Sequence, residues 1–254
     1  MAYFVRIVTE RCAFDIRLND VPVLPPGTPT RDVEVTLPVN HWVVPGRNTL
    51  SVVPDLQGQR KAQGACESSV ALLSAPAGKP ASARAPLIEM RWPAAGPRPK
   101  EPFAAARAQV ELPESLPAWA WMRSDVIAAD RRTRAELVRE YQRLWDAASR
   151  REVRQVLPAF AERNRELAAA FHTEEAEMAR RAAMLEKLSQ DRSLALFPLE
   201  PEDAELVVFA GGRLAKLTRW DGQPMLAFNY KDGSGSETFD VVFRRSGGRW
   251  VIAR

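Results

Sequence analysis

The chain has 254 residues, 46% apolar and 27% charged, long enough for two domains of about 100–150 residues, each with its own core. Residues 1–112 carry 13 Lys and Arg against 10 acids, and residues 113–254 carry 23 against 22, giving a formal net charge of +4. Cations this evenly mixed with acids argue against a nucleic-acid binder, which gathers them on one face. No stretch reaches the ~18–20 consecutive apolar residues of a membrane span. The first eight residues, Met1-Ala2-Tyr3-Phe4-Val5-Arg6-Ile7-Val8, lack the basic start and cleavage site of a signal peptide, so a cytoplasmic protein is expected. Cys12 and Cys66 are the only cysteines; in a reducing compartment they are expected as buried thiols, although a bridge between two strands is also compatible.

Residues 3–8 and 13–18 alternate apolar and polar at period two, the signature of half-buried strands. Asn19-Asp20 then reads as a tight turn into Val21-Pro22-Val23-Leu24, because both residues tolerate left-handed backbone. Pro25-Pro26-Gly27 ends that strand. Residues 33–37, 49–53, 70–73 and 85–92 supply further short strands, and residues 57–64 read as a loop. Strands at about 8–12-residue spacing argue for an antiparallel β-sandwich over residues 1–92.

The hairpin of residues 14–23, followed by Val39-Asn40-His41-Trp42-Val43-Val44-Pro45-Gly46-Arg47-Asn48-Thr49-Leu50, resembles jelly-roll domains of the galactose-binding-like type. The resemblance covers about 50 residues, with Asp20 where those domains usually carry Gly, and it implies a carbohydrate-binding module as one function. His41 and Trp42 are the residues to watch there. Aromatics bind sugar rings or anchor interfaces, and the alternative is Trp42 in the sandwich core with His41 at its edge.

Nine of the 20 prolines fall between Pro76 and Pro117. Residues 93–102 cannot sustain a helix or a central strand, so residues 93–117 are expected to form an extended linker ahead of a second domain at 118–254. Trp119 and Trp121 open that domain as either a packed start or an exposed patch for a partner.

Three helices follow. Thr133-x-x-Glu136 and Ser149-x-x-Glu152 fit the capping box, and Thr173 precedes three glutamates. The first helix is expected to bury Leu137, Tyr141, Leu144 and Ala148, with Trp145 beside them. The second buries Val153, Leu157, Phe160, Leu167 and Phe171, with Pro158 kinking or restarting it. The third buries Met178, Leu185 and Leu188. Between Arg123 and Arg192 there are 15 Lys and Arg against 13 acids, many three or four apart, which describes a solvated helix surface.

The chain closes with a β-meander whose strands are expected to touch in sequence order. Gly211-Gly212, Asp221-Gly222, residues 231–236 and Ser246-Gly247-Gly248 supply its turns. The whole is read as α+β: an N-terminal antiparallel β-sandwich, then about three helices packed on a curved antiparallel meander.

Residues 141–160 together with the closing run Phe239-Asp240-Val241-Val242-Phe243-Arg244-Arg245-Ser246-Gly247-Gly248-Arg249-Trp250-Val251-Ile252 resemble the nuclear-transport-factor-two-like superfamily, also called SnoaL-like or cystatin-like. The match spans roughly 134–162 and 205–254, and residues 163–204 depart from it by inserting extra helix. Enzymes of that superfamily use an Asp base with Tyr or Asp donors inside a cone. The resemblance therefore implies Tyr141, Tyr230 and Asp240 as catalytic residues of an isomerase or hydratase acting on a small apolar substrate.

Other chemistries find no support. The two histidines, His41 and His172, fall in different domains, so no metal site is expected. There is no Gly-x-Ser-x-Gly elbow, P-loop or GxGxxG, and no cofactor is expected. With no catalytic set, non-catalytic protein binding is the leading function, with His41, Trp42, Trp119 and Trp121 as partner-binding residues. By analogy of architecture with accessory proteins of bacterial toxin and secretion loci, the partner is expected to be a toxin or effector, and the chain an immunity protein or effector adaptor.

Overall fold

The computed structural model describes residues 1–11, 13–24, 31–54, 67–79, 83–92 and 106–254. The expected turn at Pro25-Pro26-Gly27, the loop at 57–64, both cysteines and the proline run at 93–102 lie outside the described residues. The chain is α+β and divides into two compact units, Met1–Ala118 and Trp119–Arg254. Among the described residues no helix is long and apolar enough to cross a membrane.

The described residues of the first unit form two antiparallel sheets. One has the order β4-β1-β6-β7, with β1 Ala2–Glu10, β4 Glu34–Pro38, β6 Glu67–Ala75 and β7 Ala85–Trp92. The other has the order β3-β2-β5-β8, with β2 Phe14–Leu18, β3 Val21–Pro22, β5 Gly46–Pro54 and β8 Ala106–Leu112. The period-two pattern sets their buried faces: Tyr3, Val5 and Ile7 of β1 turn inward, as do Phe14, Ile16 and Leu18 of β2 and Leu50 and Val52 of β5. Each such fully buried aliphatic side chain contributes about 1.5–3 kcal/mol. Phe14 meets Trp92 of the other sheet edge to face at 5.5 Å.

Asn19 and Asp20 hold φ of 53° and 64°, left-handed at both central positions as the shortest hairpins require. Asn19 also bridges to the Pro45–Asn48 turn: its side chain donates to Asn48 Oδ1 at 2.8 Å and accepts from Thr49 N–H at 2.9 Å. Asn48, fully buried, accepts from Val44 N–H and donates to Val44 and Gly46 carbonyls. The motif residues behind the jelly-roll resemblance thus hold two turns together.

Residues 106–112, expected in the linker, form strand β8, paired with β5 from Gly46↔Leu112 to Val52↔Ala106. Ala106-Arg107-Ala108-Gln109-Val110-Glu111-Leu112 alternates at period two and contains no proline; the prolines on both sides masked it.

The second unit begins with a 3₁₀ turn, Ala120–Arg123, and helix α1, Arg131–Ser149. Helices α2 Ala161–Phe171, α3 Glu175–Ala182 and α4 Met184–Gln190 follow. The cap of α1 is Asp130, whose carboxylate accepts from Thr133 N–H at 2.8 Å, so Thr133 lies inside the helix rather than at its start. Ser149 is the last residue of α1, not the cap of the next helix. The apolar stripe Leu137, Tyr141, Leu144, Ala148 runs through to it, and left-handed Arg151 (φ 60°) turns the chain away. Short 3₁₀ turns, Val153–Gln155 and Leu157–Phe160, carry Pro158 before α2 restarts the helix. His172, in the left-handed region at φ 53°, closes α2.

The strands β9 Leu194–Leu196, β10 Glu205–Phe209, β11 Leu214–Thr218, β12 Leu226–Tyr230, β13 Ser236–Phe239, β14 Phe243–Ser246 and β15 Arg249–Ile252 form two sheets, β10-β11-β14-β15 and β13-β12-β9. The expected neighbour-to-neighbour meander is therefore corrected. β11 pairs with β14, while β12 pairs with β9, a strand inside the segment expected to be helical.

Candidate functional site

The site implied by the superfamily resemblance lies where residues 239–243 pass from one sheet to the other. Phe239 pairs with Leu226 of β12, and Phe243 pairs with Ala215 of β11 and Ile252 of β15. Asp240, Val241 and Val242 lie in neither ladder. A crossing of this kind leaves buried backbone groups that need partners. Val242 finds them in residues 253–254: its N–H donates to Arg254 O at 2.8 Å, and its carbonyl accepts from Ala253 N–H at 2.7 Å. The partner of Val241 comes from α1. Tyr141 donates its hydroxyl to Val241 O at 2.6 Å and accepts from Leu217 N–H at 3.4 Å.

Tyr141 is 1% exposed and meets Phe243 edge-on at 5.4 Å. Burial, and then the nearby charge of Asp240, hold its phenol well above the ordinary tyrosine range, so it is neutral and a donor at pH 7. Asp240 accepts from Lys216 Nζ at 2.9 Å, and the Lys216 side chain is only 8% exposed. The structure thus brings Tyr141 and Asp240 together and adds Lys216, which the sequence pattern did not single out. A lysine inside an apolar strand, two positions after Leu214, was the available signal. Tyr230 is elsewhere: its hydroxyl donates to Glu237 at 3.2 Å, and that carboxylate raises its pKa. It stands four residues along β12 from Leu226, about 13 Å from the crossing.

A phenol that protonates a substrate needs its O–H directed at that substrate. Here the O–H is engaged by a backbone carbonyl, and Oδ2 of Asp240 is engaged by an ammonium, while its Oδ1 is buried without a hydrogen-bond partner. Around Tyr141 the interior is occupied by one continuous apolar cluster that includes Leu144, Phe160, Phe228, Phe239 and Phe243. No group of three metal-ligating side chains converges among the described residues.

A second set of charges lines α2. Arg244 donates to Glu162 Oε1 through Nε and Nη2, at 2.9 and 2.5 Å. Arg254 donates to Glu166 at 2.7 Å, and Glu166 also accepts from Ala120 N–H. Burial, with Arg254 and Arg181 nearby, pushes Arg163 down to about 10. These pairs tie helix to sheet.

The residues expected to bind a partner are placed inside. Trp42, Trp119 and Trp121 are 9%, 3% and 5% exposed. Trp42 stacks against half-buried His41 with ring centres 4.4 Å apart, beside the Asn19–Asn48 brace that holds its carbonyl. Trp119 lies under the Arg254 guanidinium at 5.8 Å. Residues 119–127 are strapped to the sheet through Asp125 N–H to Arg245 O, Ile127 N–H to Gly212 O, and Arg213 to Ser124 O. The surface reading of these tryptophans is therefore corrected: burying a large aromatic outweighs presenting it to water.

A different tryptophan faces solvent. Trp220 is 71% exposed on the turn between β11 and β12. The turn is braced on every side. Arg219 N–H donates to Gln223 O at 2.8 Å, and Gly222 N–H to Arg219 O at 2.9 Å. Asp221 accepts from Gln223 N–H and from Arg219 Nη2 at 3.0 and 2.9 Å. The Arg219 guanidinium lies 3.9 Å over the Phe197 ring. Gly222 takes φ 77°, open to glycine at no steric cost. Trp220 directly precedes the Asp221-Gly222 turn signal, and a residue at a turn tip projects outward; that adjacency was legible.

No family model, curated protein or solved structure matches this chain.

Proposed function

We propose that the chain is a non-catalytic protein-binding protein and that Trp220 is its anchor. The observation that carries this reading is a large aromatic held 71% exposed on a turn fixed by backbone, carboxylate and guanidinium contacts. A rigid aromatic loses little side-chain entropy on docking, which is why tryptophan dominates binding hot spots. The engaged hydroxyl of Tyr141 and the filled apolar interior around it support a scaffold role for the second unit, read here as a nuclear-transport-factor-two-like cone. The first unit is read as a galactose-binding-like β-sandwich, and the protein as a two-domain cytoplasmic immunity protein or effector adaptor.

The test is recovery of partners from the native cells with the tagged full chain and with Trp220→Ala. One stoichiometric protein should accompany the parent chain. The variant should bind it about thirtyfold less tightly, the equivalent of about 2 kcal/mol, with an unchanged melting temperature. Equal recovery by both chains removes Trp220 as the anchor. A parent chain that recovers no protein at all removes the binding reading.

A further inference from the structure

We propose that the outer face of the sheet β4-β1-β6-β7 holds a site for a small monocarboxylate with a short apolar body. The pairing registers arrange that face in rows across the strands. One row is apolar: Pro38, Phe4, Leu73, Pro86. The next is Thr36, Arg6, Ala71, Glu89. Ala71 contributes only a methyl group between Arg6 and Glu89, which stand two strand spacings apart, about 10 Å. The result is a recess of about 350 Å³, floored by Ala71 and walled by longer side chains. That size suits a small ligand. The register slips between Leu72 and Leu73, leaving Leu87 as an extra residue in β7. Such a bulge bends the strand that carries it and re-aims its side chains; here it brings Pro86 into the apolar row.

The charges select the ligand. The Arg84 guanidinium lies 4.0 Å over the Phe4 ring. Stacked this way it keeps its planar fork of N–H donors for a carboxylate, which accepts two of them side by side. The acids nearby are already matched: Glu34 pairs with Arg6 at 3.0 Å and Glu89 with Arg91 at 3.6 Å. Among the described residues no carboxylate lies within ion-pair distance of Arg84. Arg6, in an exposed pair of little energetic weight, adds a second cation to the wall. Glu89 on the far side repels a second negative charge, so the ligand carries one. Its body rests on Leu73, Pro86 and Ala71, and the hydroxyls of Thr36 and Ser69 line the remaining edge. This proposal stands apart from Trp220 and the partner it would bind.

Isothermal titration of the full chain with hexanoate tests it, with hexanamide as the uncharged control and adipate as the dianion. Hexanoate should bind saturably at one per chain, and both controls about tenfold or more weaker. Arg84→Gln should weaken hexanoate by a similar factor without lowering the melting temperature. Ala71→Leu, which fills the floor and leaves every charge in place, should do the same. Should either variant melt early, amide resonances settle the location in the parent chain: hexanoate should shift Ser69, Ala71 and Leu73 selectively. No saturable binding at millimolar hexanoate overturns the proposal. So does equal binding of hexanamide, binding unchanged in both folded variants, or resonance shifts confined elsewhere.

Discussion

Tyr141 shows how one hydroxyl can decide between catalysis and architecture. Its ring fills the core as any aromatic in an apolar helix stripe would, but its oxygen bonds the Val241 carbonyl, in the middle of the three residues that cross between two ladders. Tyr141→Phe keeps the ring and strips that carbonyl of its donor. An unsatisfied buried acceptor costs about 1–3 kcal/mol, so chemical denaturation should report a loss of that size. An unchanged midpoint and slope mean that Val241 finds another donor and that the phenol is free for other work. Beside it the nearly buried ammonium of Lys216 is met by Oδ2 of the half-buried Asp240, and Asp240 Oδ1 is left without a hydrogen bond. At this scale the sequence named Tyr141 and Asp240, and the fold supplied their partners Val241, Leu217 and Lys216.

Helix α1 is anchored at its start by Asp130. Its carboxylate accepts from Thr133 N–H, and that bond, more than the flanking Arg132, holds its pKa below the ordinary aspartate value. A depressed folded-state pKa adds stability that is complete above the unfolded value, near 3.9, and is lost as pH falls through the folded one. Asp130→Ala should therefore lower the melting temperature at pH 7. The melting-temperature gap between parent and variant should narrow as pH is lowered from 5 to 3. A gap that stays constant over that range means that charge contributes nothing to the cap. Elements also show where pattern reading fails. A capping box needs a helix that begins there, and at Ser149 the preceding helix had not yet ended. β8 alternates cleanly yet sits between prolines, and composition hid it.

Each compact unit has its own apolar interior. In the second it runs from Ile127 through α1 to Ile252 and Phe243. A fragment of residues 119–254 should therefore fold alone, with a cooperative thermal transition and dispersed amide resonances. A broad, non-cooperative melt counts against its autonomy. The boundary matters for any such fragment, because residues 106–112 belong to the sheet of the first unit through β5. Cutting at 93, as proline density alone suggests, would strip a strand from that sheet.

The sequence by itself determined which segments alternate at period two and which at 3.6, and hence an α+β chain whose core faces are those of β1, β2, β5 and α1. It could do so because periodicity is local: the side chains that make it are a few residues apart. Tertiary structure alone decided the rest. It split the closing meander into two sheets and paired β11 with β14, across a separation no local pattern encodes. It turned Trp42, Trp119 and Trp121 inward, where the sequence left a core reading and a surface reading both open. It also made a recess from Ala71, whose smallness matters only because the register sets it between Arg6 and Glu89. Exposure, pairing and cavity shape depend on contacts between residues distant in the chain, and those are fixed only when the chain has folded.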